Sequence, residues 1–223
     1  MSSNKPFVIA IDGPAASGKG SLARKLADHL DFDFLDTGAL YRRVAFKCLE
    51  NDIKSDEKEK IIQISADLAQ NIYEKYDDSA LRNEKVGDMA SICAQIPQVR
   101  QNLDEFQRNF AQNAQKGAVL DGRDIGTVIC PDANVKLFIT ASPEVRAERR
   151  SLELQSHGIQ GKKPQVLAEM QERDLRDADR LEAHLHSDHD NHVIDTSNMT
   201  PNQVMDAALA IIMPVLHAHR NLS

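Results

Sequence analysis

The chain has 223 residues, enough for one well-buried α/β core with a modest insertion and short for two independent full-sized domains. Its 41% apolar and 27% charged content excludes disorder, collagen-like repeats and coiled coil as the main architecture. With 27 Lys and Arg against 34 Asp and Glu, a formal charge of -7, nucleic acid is not the expected partner, and any bound phosphate has to be met by local clusters of cations.

Phe7 to Asp12 (FVIAID) is a continuous apolar run that opens onto a glycine turn and reads as a buried strand. It is too short for a signal-peptide core, and no later stretch reaches about 18 apolar residues, so a cytoplasmic protein without a membrane span is expected. The next nine residues are Gly13, Pro14, Ala15, Ala16, Ser17, Gly18, Lys19, Gly20 and Ser21. They place two glycines and a lysine at P-loop spacing, directly before a helix whose apolar face is Leu22, Ala23, Leu26, Ala27 and Leu30. Glycines let the backbone N–H groups converge on phosphate oxygens, Lys19 adds a point charge near the β and γ phosphates, and Ser21 offers a hydroxyl to Mg²⁺.

A second strand is expected at FDFLD (32–36), followed by DTGALYR (36–42), which brings Thr37 and Arg42 to the carboxyl end of the sheet where open α/β sheets bind ligands. Without that role Arg42 is a solvated helix residue. From Ala39 to Val86 there is no glycine, and no proline occurs until Pro97, so about 39–116 reads as a helical insertion. Cys48, Cys93 and Cys130 are odd in number and lack metal-ligand spacing, and are expected as reduced thiols.

AVLDG (118–122) is the third strand, and LDGRDIGT (120–127) sets a guanidinium and a carboxylate side by side at its end. Arg123 can fork onto a phosphate and Asp124 can accept from an exocyclic amine; the alternative is an internal salt bridge in a turn. VKLFIT (135–140) is the fourth strand. Ser142 and Pro143 then read as an N-cap and first helical position, starting a helix through Arg146, Arg149 and Arg150.

HGIQGKKP (157–164) interrupts that helix, and a break between two arginine-rich helices suits a lid. In ERDLRDADR (172–180), Arg173, Asp177 and Arg180 share one helical face, either a solvated charged surface or a clamp on transferring phosphates. HLHSDHDNH (184–192) has histidines and carboxylates but no standard metal spacing, and reads as a solvated loop. HVIDT (192–196) is the fifth strand, and Thr200, Pro201 and Gln203 have capping-box spacing for the last helix.

IDGPAASGKGS, DTGALYR, DGRDIGT and the ERDxRDxxR run together resemble the bacterial cytidylate kinases over nearly the whole chain, the central pair being the specific part. The resemblance implies a three-layer α/β P-loop kinase fold with a five-stranded parallel sheet. It further implies a single domain over 1–223, a monophosphate-binding insertion at about 39–116 and a short lid at about 149–163 bearing Arg149 and Arg150. The implied reaction is transfer of the γ-phosphoryl group of ATP to CMP or dCMP with Mg²⁺; separately, a monomer is expected.

Residue by residue, the resemblance implies that Thr37, Arg42 and Arg123 hold the acceptor phosphate and that Arg180 adds charge there. Ser91, Arg100 and Asp124 are expected to read the cytosine edge, with Arg173 and Asp177 reaching phosphate and ribose. Lys19, Arg123, Arg173 and Arg180 are the expected catalytic cations. Bacterial members usually carry a small antiparallel extension for which IYEKYDDSALR (72–82) is too short here. The competing expectations are a kinase of small hydroxyl acceptors such as shikimate or gluconate, a UMP or AMP kinase, and a nucleotide-dependent switch acting on a protein.

Overall fold

The computed structural model describes residues 5–70, 78–81, 83–156, 163–186 and 191–221. The chain divides into two compact units, Met1–Leu35 with Ala111–Ser223, and Asp36–Phe110. The first is built on a five-stranded sheet in the order β2-β3-β1-β4-β5, from β1 (Phe7–Asp12), β2 (Asp33–Asp36), β3 (Gly117–Gly122), β4 (Val135–Thr140) and β5 (Asn191–Asp195). β1 pairs in parallel with β3 and β4, and β4 with β5. The central strands are near-continuous apolar runs because both faces are covered, as parallel sheets require.

Side chains alternate across β1, so Phe7, Ile9 and Ile11 share one face. There they form a core with Leu22, Ala23 and Leu26 of α1 (Lys19–Leu30) and with Val204, Ala208, Ile212 and Leu216 of α9 (Pro201–Asn221). On the opposite face Ala10 lies below Gly126, in a single π-helical turn at Ile125–Ile129. Two further helices, α7 (Pro143–Ser156) and α8 (Lys163–His186), pack through Ala147, Leu154, Val166 and Met170.

Capping sets where these helices begin. The Ser142 hydroxyl accepts from Val145 N at 3.3 Å ahead of Pro143, which needs no partner for an N–H it lacks. At α9, Thr200 Oγ1 accepts from Gln203 N at 3.3 Å while Gln203 Oε1 accepts from Thr200 N at 2.8 Å, the reciprocal pair expected from the sequence. Thr200→Ala is therefore expected to lower unfolding stability by about 1 kcal/mol in urea titration, with kinetics unchanged.

The second unit is helical: α2 (Thr37–Glu50), α3 (Lys58–Gln70), the short α4 (Asp78–Leu81), α5 (Glu84–Cys93) and the greater part of α6 (Pro97–Asn113). Its own core contains Leu40, Val44, Ile61, Leu68, Val86, Met89, Val99 and Leu103. Cys48 and Cys93 are buried in that core, and all three cysteines are free thiols. A hydrogen bond between them holds the Cys48 thiol below its ordinary pKa and, together with burial, pushes Cys93 well above its own.

Of the sequence expectations, the shortened segment 72–82 falls largely outside the described residues, as do 157–162 of the lid and 187–190 of the histidine-rich run. Among the described residues no group of His, Cys, Asp and Glu is placed to hold a metal ion, and no helix is long and apolar enough to cross a membrane.

Candidate active site

The loop from Gly13 to Ser21 leaves β1 and enters α1 through backbone conformations that side chains resist. Gly13 has φ 148, and a Cβ there would lie 2.0 Å from the Ile139 carbonyl oxygen. Gly18, at φ 94, is the N-cap of α1 and brings no side-chain cap to its first turn, leaving that helix end to face an anion with backbone N–H groups.

The carbonyls of the loop are tied outward by neighbouring residues of the same unit. Ser17 O accepts from Thr196 Oγ1 at 2.9 Å and from Arg149 Nη1 at 3.2 Å, and Ala15 O accepts from Arg146 Nη1 at 3.4 Å. Holding carbonyls on the outside leaves the N–H groups to the concave side. Arg149 also donates Nη2 to Thr196 O at 2.8 Å, so this residue, expected on a lid, is fastened beside the phosphate loop. Arg150 turns elsewhere on α7 and pairs with Glu153 at 2.9 Å.

Arg146 is only 5% exposed and is bidentate to Asp174 on α8, at 3.1 and 2.6 Å. Its Nε donates to Ala141 O at 3.1 Å, so one guanidinium connects the end of β4, the phosphate loop and α8. Beside the loop opens a cavity of about 600 Å³, lined by Ala16, Leu22, Lys25, Arg149, Met199 and Val204 among others. Its wall is apolar on the α9 side and charged on the α1 and α7 sides.

Lys19 Nζ lies 3.6 Å from Asp121 Oδ1, both side chains largely buried. Asp121 is the penultimate residue of β3, which is followed by the turn that carries Arg123 and Asp124. Parallel pairing sets Asp12 opposite Gly122, so the start of the phosphate loop and the Arg123 turn emerge side by side at the carboxyl edge of the sheet. Arg123 Nε donates to Asp177 Oδ2 at 2.9 Å and Nη1 donates to Gly122 O at 3.1 Å.

Burial opposes the charge on Arg123, but the attraction and hydrogen bond of Asp177, with the charges of Asp121 and Asp12 behind them, prevail and hold its pKa above the ordinary arginine value. Arg123 is thus a permanent, oriented cation. Its ion-pair partner is Asp177 on α8, three residues beyond Asp174. Asp124 is buried at the head of the π-helical turn, and Arg173 is half-buried on α8. Arg180 lies on α8 with its side chain outside the described residues.

In the helical unit, Asp36 caps α2 by accepting from Ala39 N at 3.0 Å through Oδ1, and its Oδ2 accepts from Arg42 Nη2 at 2.7 Å. Arg42 Nε is buried with no hydrogen-bond partner among the described residues, a donor suited to a ligand oxygen. Thr37 is buried at the first position of α2, Ser91 is buried in α5, and Arg100 is half-buried in α6.

Several of these groups have no site role in the sequence reading. Asp121 carried a signal, an acid at the penultimate position of an apolar strand, one glycine before Arg123. Asp12, Arg146, Asp174 and Thr196 carried none, because each acts through a partner that is remote in the chain and near only in the fold.

Residues 9–213 match the family model described as cytidylate kinase. The cytidylate kinase of Afipia carboxidovorans is 47% identical over 206 residues, covering 92% of this chain and 97% of that protein. That of Rhodopseudomonas palustris is 45% identical over 216 residues, covering 97% and 100%. Among solved structures, a gluconokinase from Sinorhizobium meliloti superposes with a TM-score of 0.51 at 13% identity, covering 99% of each chain, a likeness of fold alone.

Proposed function

The chain belongs to the cytidylate kinase family, and we propose that it moves the γ-phosphoryl group of ATP onto CMP or dCMP with the residues just described. The observation that carries this reading is the register of β1 with β3, which sets the phosphate loop beside the turn holding Arg123. Donor and acceptor phosphates are then met at neighbouring points on one sheet edge.

The acceptor phosphate has a second pKa near about 6 and is largely dianionic at neutral pH, so no general base is required. Bringing two polyanions together does require fixed cations, aligned before the reaction begins. Lys19 is poised by Asp121 for the β and γ phosphates. Arg123 is oriented by Asp177 and Gly122 O toward the acceptor phosphate, with Arg173 and Arg180 on α8 adding charge.

Within the helical unit the family resemblance assigns Thr37 and Arg42 to phosphate and Ser91 and Arg100 to the cytosine edge, a role it also assigns to Asp124 of the sheet unit. The cavity beside Arg149 suits the purine of ATP, apolar wall against the ring face and cations at the rim. Ser21 is exposed at that cavity and Asp121 is an acidic oxygen donor beside Lys19, so the hard oxygen donors that Mg²⁺ prefers are at hand. Bound there with ATP, Mg²⁺ would neutralise phosphate charge. We take the working form to be a monomer.

ADP release measured with CMP, dCMP, UMP, AMP, GMP, shikimate and gluconate supplied singly tests the reading. Stimulation confined largely to CMP and dCMP is expected. Stimulation by another acceptor would overturn the roles of Ser91, Arg100 and Asp124, and none at all would overturn the transferase reading.

A further inference from the structure

Asp12 is the last residue of β1 and is 1% exposed. A carboxylate so placed needs strong partners, and two of them lie across the sheet edge. Its Oδ1 accepts from Ile125 N and its Oδ2 from Gly126 N, each at 2.8 Å. Those are the first two N–H groups of the π-helical turn, whose own N-cap, Asp124, makes no side-chain cap (φ −150, ψ 31). The cap comes from a strand residue 113 positions earlier in the chain.

We propose that Asp12 is a positioning residue that fixes Arg123 and Asp124 for the acceptor nucleotide by clamping the two backbone amides that follow them. The proposal rests on the assignment of Arg123 and Asp124 to the acceptor made above. Asp12 touches no ligand in this scheme. It acts through the turn: Ile125 follows Asp124 directly, so any shift of the clamped amides moves both functional side chains. Gly126 itself rests on Ala10 and on the flexible stem of Lys136.

A carboxylate suits this task better than an amide. Two N–H groups need two acceptor oxygens, and asparagine offers one oxygen and one NH₂, which would meet an N–H head-on. The negative charge also helps hold Arg123 protonated.

The test is Asp12→Asn in the full chain, with CMP, dCMP and UMP varied at saturating Mg-ATP and ATP varied at saturating CMP. Misplacing an oriented group by a fraction of an ångström is costly, so KM for CMP is expected to rise about 10-fold and the preference for CMP over UMP to fall. KM for ATP is expected to stay within about 2-fold, because the phosphate loop is held separately by Thr196, Arg149 and Arg146. Unchanged CMP parameters, or a rise in KM for ATP matching that for CMP, would overturn the proposal.

Amide exchange of the wild-type protein supplies a measurement that does not depend on the variant folding. Ile125 and Gly126 are expected among the strongly protected amides, and exchange at the rate of open chain would equally overturn the clamp. A wild-type protein that CMP does not stimulate would overturn the acceptor assignment itself, a result distinguishable from an active wild type with an indifferent Asp12→Asn.

Discussion

Lys19→Met is expected to lower kcat with saturating ATP and CMP by about 10²–10³-fold, the usual consequence of removing one preorganised charge from a transferring group. Methionine keeps the length of the stem and removes only the ammonium, which stands 3.6 Å from Asp121 in a largely buried pair. The loss belongs mainly to kcat because the backbone N–H groups of the loop and the cavity beside it still bind the nucleotide. Lys58→Met is the control: Lys58 is exposed at the start of α3 in the helical unit, and its effect on kcat should be within about 3-fold. Lys19→Met retaining more than about a tenth of wild-type kcat would contradict the role given to this charge.

The contrast between Lys19 and Asp121 shows what a sequence makes legible and what it hides. The phosphate loop can be read because its requirements are local: two glycines, Gly13 and Gly18, at positive φ, a lysine at fixed spacing, a strand before and a helix after. The central strands are legible for a similar reason, being short apolar runs buried on both faces. FVIAID and VKLFIT coincide with β1 and β4 residue for residue.

The edge strands are offset by one. FDFLD begins one residue before β2, and HVIDT ends one residue past β5, where Thr196 has left the strand and donates to the Ser17 carbonyl. Pairing on one side only blurs the hydrophobic signal that locates a central strand. The support for the loop is of another kind. Arg146 holds Ala15 and Asp174, and Asp12 holds Ile125 and Gly126, through partners that local periodicity says nothing about. The charged row on α8 also has a meaning that spacing alone left open. Asp174 and Asp177 face Arg146 and Arg123, so part of what resembled a solvated face is the structural side of an ion-pair network.

That network makes Arg123→Met the change with the largest combined effect. Asp177 is 3% exposed and accepts from Arg123 Nε at 2.9 Å, so deleting the guanidinium takes that ion pair and hydrogen bond from a buried carboxylate. Breaking such a pair from one side costs about 3–5 kcal/mol, measurable as a shift of the urea unfolding midpoint. The same substitution removes the proposed cation at the acceptor phosphate, and kcat/KM for CMP should fall by at least about 10²-fold.

A double variant separates the two effects. In Arg123→Met with Asp177→Asn no buried charge is stranded, so most of the stability should return while activity stays low. Arg123→Lys should keep the charge but lose the planar fork that serves Asp177 and Gly122 O together, and is expected to fall between wild type and methionine on both measures. The sign of the pKa shift fixes the pH behaviour. A base whose folded pKa is raised contributes stability that is complete below its unfolded pKa and is lost only as pH climbs past it, far above the working range for an arginine. The stability difference between wild type and Arg123→Lys should therefore be flat between about pH 6 and 9. A double variant as unstable as Arg123→Met alone would show that the guanidinium supports the fold by some means other than neutralising Asp177.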